Sequence, residues 1–236
     1  MTWSIIARDT ITGQIGIAVA TKFFAVGARV PHIAANFGGV ATQALVNPYY
    51  GIDGVKLLRE GISPHDIVKT LIARDSGRES RQLHIMDAGG RIAAHTGNEC
   101  VEWCGHIQGD GFSIAGNMLA GAAVLDDTAK AYVADATLPF ARRLIAAMRA
   151  GEFAGGDKRG RQSAAVLIHG SEEWSDLDLR VDDHLDPLAE LARLEQVSRE
   201  RWVHFKKFLP TRKNPAGITD RAAIDAGIEA AVKGQQ

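Results

Sequence analysis

Two apolar, β-branched runs open the chain, Thr2–Asp9 and Ile15–Lys22, joined by the polar, glycine-bearing stretch Thr-Ile-Thr-Gly-Gln. That pattern predicts a β-hairpin. Gly38–Leu45 predicts a further buried strand. Apolar residues at helical spacing then run from Tyr50 to Gly61, a C-terminal stop. A second helix starts at Ser63 as N-cap, with Pro64 in its first turn and Asp66 three residues after the cap. Arg81–Thr96 predicts another hairpin, turning at Asp87-Ala88-Gly89-Gly90.

Gly111–Leu119 reads as a strand leading into a helix over Ala120–Val133, and Pro139–Phe153 as the next helix. Arg161–Gly170 and Asp176–Asp183 are predicted strands. Asp186-Pro187 opens a predicted long helix toward Phe208. Hairpins and helix pairs thus alternate in blocks, which argues for antiparallel sheets layered with helices. The expected class is α+β, a four-layer αββα sandwich. Residues 1–209 are expected to form this domain. Residues 210–236 read as a proline-containing linker and a short amphipathic helix that docks on the body or on a partner.

Composition narrows the class of partner. The 236 residues carry a formal net charge of −1 and a hydrophobic content of 46%. That is enough for one substantial core and gives no electrostatic case for nucleic acid or an anionic membrane. No run approaches the ~20 apolar residues of a membrane span. The start of the chain lacks the basic and apolar regions of a signal peptide. With Cys100 and Cys104 as its two cysteines, the chain reads as a cytoplasmic protein without a disulfide framework.

Several stretches could carry chemistry. Thr2 follows a methionine of the kind normally trimmed before a small residue. Trimming would place a hydroxyl and an α-amine on one residue, and that amine titrates near ~8. Gly155–Ala164 contains Gly-x₄-Gly, but Arg161-Gln162 stand where a phosphate loop needs Lys and Ser/Thr. What remains is a turn whose Asp157, Lys158, Arg159 and Gln162 suit a carboxylate or a polarised carbonyl. Asp182, Asp183 and His184 close a strand, where a carboxylate can orient a base or bind a metal. His95, Cys100, Cys104 and His106 are soft ligands, yet they lack the paired spacing of a structural zinc site. The aromatic and basic stretch Arg201–Phe208 fits a core-facing helix.

The segments MTWSIIARDTITGQIGIAVATKF, GGVATQALVNPYYG, GFSIAGNML, GGDKRGRQSAA and LRVDDHLDP together resemble the family catalogued as domain of unknown function 1028, over about residues 1–195. That family is similar in fold to the N-terminal-nucleophile hydrolases. The resemblance implies the αββα architecture and a nucleophile at Thr2, with its own amine as base. The expected activity is hydrolysis of a small polar amide or related C–N bond, without cofactor or metal. Asn117, Gln43, Asn47 and the Asp157–Arg159 turn are candidate oxyanion or substrate contacts, with Gln162 beside them. Asp183 and His184 are candidate orienting groups. Two other readings are a ligand-binding protein on the same scaffold and a metal-dependent hydrolase using Asp182, Asp183 and His184. The expected partners are a small-molecule substrate and further copies of the chain.

Overall fold

The computed structural model describes residues 2–234. The opening hairpin forms as predicted, with β1 (Thr2–Arg8) antiparallel to β2 (Ile15–Thr21). After a short 3₁₀ turn come β3 (Pro31–Ala34) and β4 (Gly38–Ala44). Helices α1 (Pro48–Arg59) and α2 (Pro64–Ala73) follow. Then come β5 (Arg81–Asp87), β6 (Ile92–Thr96), β7 (Gly105–Gly109) and β8 (Phe112–Asn117). The chain continues through α3 (Ala123–Ala134), α4 (Phe140–Phe153), β9 (Ser163–His169) and β10 (Leu177–Val181). It ends in α5 (Pro187–Ser198), the short α6 (Trp202–Phe205) and α7 (Arg221–Lys233).

The strands form two antiparallel sheets, ordered β10-β9-β2-β1-β8-β7 and β3-β4-β5-β6. Helices α3, α4 and α5 cover the outer face of the larger sheet, and α1 and α2 that of the smaller. The remaining faces pack on one another, β1 against β4 and β5, and β8 against β5. The layers therefore run helix, sheet, sheet, helix. Side chains alternate across each strand, so Trp3, Ile5 and Ala7 of β1 join the core beneath α3 to α5. Their neighbours Thr2, Ser4 and Ile6 point between the sheets. Where α3 crosses α4, a side chain at Gly151 would collide with Thr128 Oγ1, so the close approach requires glycine.

Caps set the helix starts. Ser63 accepts the Asp66 N–H at 3.2 Å, and Asp186 accepts the Ala189 N–H at 3.1 Å. Two strands were not expected from the sequence. β3 begins on a proline and β7 is bounded by glycines; both are short edge strands, where such residues are tolerated. The long helix expected from Asp186 to Phe208 is instead broken after Ser198. There the serine hydroxyl turns back on Glu195 O at 2.6 Å, which bends a helix. Trp202 Nε1 donates to Asp176 O and Lys206 pairs with Asp176, drawing α6 onto the β9–β10 connection. Beyond the 210–220 linker, α7 packs against α6 and buries Ile224 and Ile228.

Candidate active site

Thr2 opens β1 between the C-terminal ends of β2 and β8, opposite Asn117 in register. Its side chain is largely buried, and its hydroxyl donates to Thr21 Oγ1 at 3.2 Å. Met1, whose removal the nucleophile reading requires, lies outside the described residues.

Beneath Thr2 lies a floor of buried polar side chains, all pointing between the sheets: Ser4, Gln43, Gln82, His84, Ser113 and Asn117. Gln43 Nε2 reaches Gln82 Oε1 at 2.8 Å, Ala115 O at 3.0 Å and the Thr2 carbonyl at 3.4 Å. Asn117 Nδ2 donates to Gln82 Oε1 at 3.0 Å and faces the same carbonyl at 3.4 Å. Gln82 Nε2 is in turn held by Gly116 O, Gly105 O and Thr96 Oγ1. An unbonded amide here would cost a few kcal/mol, on the order of 1–3. Among the described residues, the buried side-chain atoms without a partner are on Trp3, His169 and His204, none of them in this floor.

His84 is fully buried between two hydroxyls, Ser4 at 2.9 Å from Nε2 and Ser113 at 2.9 Å from Nδ1. Burial, with a smaller contribution from His106 on β7, lowers its pKa from 6.5 to about 3. The ring is therefore neutral over the physiological range.

The rim is charged. Asp157, almost fully buried, accepts the Lys22 N–H at 2.7 Å and the Arg159 N–H at 2.8 Å, and pairs with the Arg159 guanidinium at 3.2 Å. A backbone bridge between Leu119 and Asp157 ties this turn to the chain leaving β8. Lys158 reaches across to Glu102 O at 2.8 Å. On the other side, Gln162 donates its backbone N–H to Thr21 O and its side chain to Asp183 Oδ1. The His184 N–H donates to Gln162 O, and His184 Nδ1 accepts the Asp186 N–H at 3.0 Å. Positive φ angles at Met118 (58°) and Ala44 (68°) sit directly after Asn117 and Gln43. Non-glycine residues held this way cost about 1–3 kcal/mol and cluster at functional sites.

The structure thus brings Thr2, Gln43 and Asn117 into one hydrogen-bonded group. It links Gln162 to this group through Thr21, and Asp157, Lys158 and Arg159 through the neighbouring Lys22. Asp183 and His184 attach through Gln162, as exposed rim residues. Asn47 does something else: it caps α1 by accepting the Tyr49 N–H and donates to Asp75. Asp182 is paired with Arg180. Among the described residues no group of three or more His, Cys, Asp or Glu side chains could hold a metal ion. That holds for Asp182, Asp183 and His184 and for the stretch His95–His106. Sequence reading missed Thr21, Ser4, Gln82, His84 and Ser113. Their signal was available in parity, since Gln82 and His84 alternate with buried Leu83 and Ile85, and Ser113 with Ile114.

Fold and site define an α+β protein of two stacked antiparallel sheets with a polar cluster at the N-terminal end of its first strand. Residues 2–191 match the model of a family of unknown function, DUF1028, and the chain belongs to that family. A similar solved structure is the crystal structure of protein SPO2555 from Silicibacter pomeroyi, assigned to the same family. It is 35% identical, with a TM-score of 0.85, covering 93% of this chain and 96% of that one. No curated protein matches the chain. Among the described residues no helix is long and apolar enough to cross a membrane.

Proposed function

We propose that this protein hydrolyses a small amide or related C–N bond, with Thr2 as nucleophile once Met1 is removed. The observation that carries the reading is the placement of Thr2. It stands at the one end of the inter-sheet layer lined by buried, bonded polar side chains, with Thr21 Oγ1 at 3.2 Å from its own hydroxyl. The layering, with the nucleophile opening an inner strand, also resembles the N-terminal-nucleophile hydrolases.

In this scheme the freed α-amine takes the proton from Thr2 Oγ1 as the oxygen attacks the substrate carbonyl. The tetrahedral adduct collapses with transfer of that proton to the leaving amine, and the acyl group remains as an ester on Thr2. Water, deprotonated by the same amine, then releases the acid. In this scheme the rim turn bearing Lys158 and Arg159, the latter paired with Asp157, receives a substrate with an anionic end.

The test is turnover of a panel of small amides. Thr2→Ala is expected to reduce turnover on the order of 10³-fold or more while leaving the fold intact. Thr2→Ser is expected to retain activity. Equal turnover by Thr2→Ala and the unmodified protein would exclude the mechanism. One observation favours a second reading, a ligand-binding protein on the same scaffold: the donors of Gln43 and Asn117 are engaged by chain acceptors rather than directed at open space. That reading predicts unchanged ligand affinity in Thr2→Ala.

A further inference from the structure

A glutamine side chain is nearly symmetric in shape, and exchanging its oxygen and nitrogen inverts its hydrogen bonding. Gln43 lies where that inversion would matter. Its nitrogen end meets Gln82 Oε1, Ala115 O and the Thr2 carbonyl, which are acceptors only. Its oxygen end meets a hydroxyl, Ser4 Oγ, at 2.6 Å. The main-chain carbonyls of Ala115 and Thr2 settle which end is the nitrogen, so the Ser4 hydroxyl, which can donate or accept, has to donate.

The fixed amide in turn sets the tautomer of His84. Ser4 has one proton and gives it to Gln43 Oε1, so the contact between Ser4 Oγ and His84 Nε2 must be donated by the histidine. A neutral ring with its proton on Nε2 has a bare Nδ1, which the Ser113 hydroxyl fills at 2.9 Å. The bonds then run one way, Ser113 to His84 to Ser4 to Gln43, and each donor polarises the next. The opposite tautomer would accept the Ser4 proton and set two acceptors against each other at 2.6 Å.

We propose that His84 is a positioning residue of the Thr2 site: through Ser4 it buttresses the oxygen end of the Gln43 amide, whose nitrogen, with that of Asn117, holds the first peptide group of β1 in place. This rests on the reading of Thr2 as nucleophile, because the orientation of that peptide sets where the Thr2 hydroxyl and amine point. His84 touches no substrate in this scheme. Small misplacement of a reacting group is costly, up to about a hundredfold for roughly 1 Å.

Two measurements test it. The first is the ring tautomer of His84 by long-range ¹H–¹⁵N NMR on the unmodified protein. The Nε2–H form is expected near neutral pH, and the Nδ1–H form would overturn the proposal whether or not the protein is an enzyme. The second compares His84→Leu, Ser4→Ala and His84→Gln on a substrate found in the amide panel, with folding checked by circular dichroism. The first two are expected to lower kcat about tenfold or more with KM within about twofold. Glutamine, which carries an N–H at the Nε2 position, is expected to restore most of kcat. A folded Ser4→Ala or His84→Leu with unchanged kcat would overturn the proposal. Failure of Thr2→Ala to affect turnover would instead remove the nucleophile reading, leaving the tautomer result to stand for the hydrogen-bond chain.

Discussion

The layer between the two sheets is built in two chemically different halves. At one end Ile6, Ile15, Ile17, Val19, Ala41 and Met86 form a close-packed apolar cluster. At the other end the same strands, β1, β4 and β5, contribute Ser4, Gln43, Gln82 and His84, equally buried. Both halves exclude water, but they are held by different physics. The apolar half gains from burial of area at about 25 cal/mol per Å² and needs no particular orientation. The polar half gains little net free energy per hydrogen bond and loses heavily when one is broken. It is the costlier way to fill an interior, and it lies under Thr2. A folding argument alone would continue the isoleucines, so the contrast marks this end as the candidate site.

The comparison predicts different responses to mutation and to acid. Ile17→Ala in the apolar half is expected to destabilise by about 2–5 kcal/mol in denaturant titrations, with little effect on turnover. Acid should act on the other half. Folded His84 stays neutral to about pH 3, whereas the unfolded chain protonates it below pH 6.5. The unfolded state therefore binds the proton first, and the stability contributed at neutral pH is lost as pH falls through that window. His84 is expected to add about 1.4 kcal/mol per pH unit to the acid slope, and that part should vanish in a folded His84→Gln, while His32, His106 and His169, also lowered by burial, keep theirs. A smaller effect, about 1–3 kcal/mol, is expected for Gln82→Leu, which keeps the volume but leaves donors of Gln43 and Asn117 without their acceptor. An Ile17→Ala loss that itself varied steeply with acid would break the distinction between the halves.

Much of the fold was legible because its signals are local. The opening hairpin, the Ser63 and Asp186 caps and the blockwise alternation of strands and helices all read directly from short stretches. The long final helix did not, because the Ser198 back-bond and the grip of Asp176 on Trp202 and Lys206 come from tertiary contacts. Edge strands β3 and β7 escaped because glycine and proline weaken any strand signal. Of the candidate site, Thr2 was singled out through family resemblance, the Asp157 turn through its composition, and Gln43 and Asn117 as polar residues on otherwise apolar strands. Asn47 stands apart from that group: its amide serves the α1 cap and Asp75. His84 was hidden in a run of apolar residues, where a single buried histidine looks like core.

The account depends most on the residue that begins the working chain. The direct measurement is the intact mass of protein purified from its native host, with the N-terminal peptide sequenced by fragmentation. The account predicts a chain beginning at Thr2 with a free α-amine. Turnover by a homogeneous preparation that still carries Met1 would contradict it.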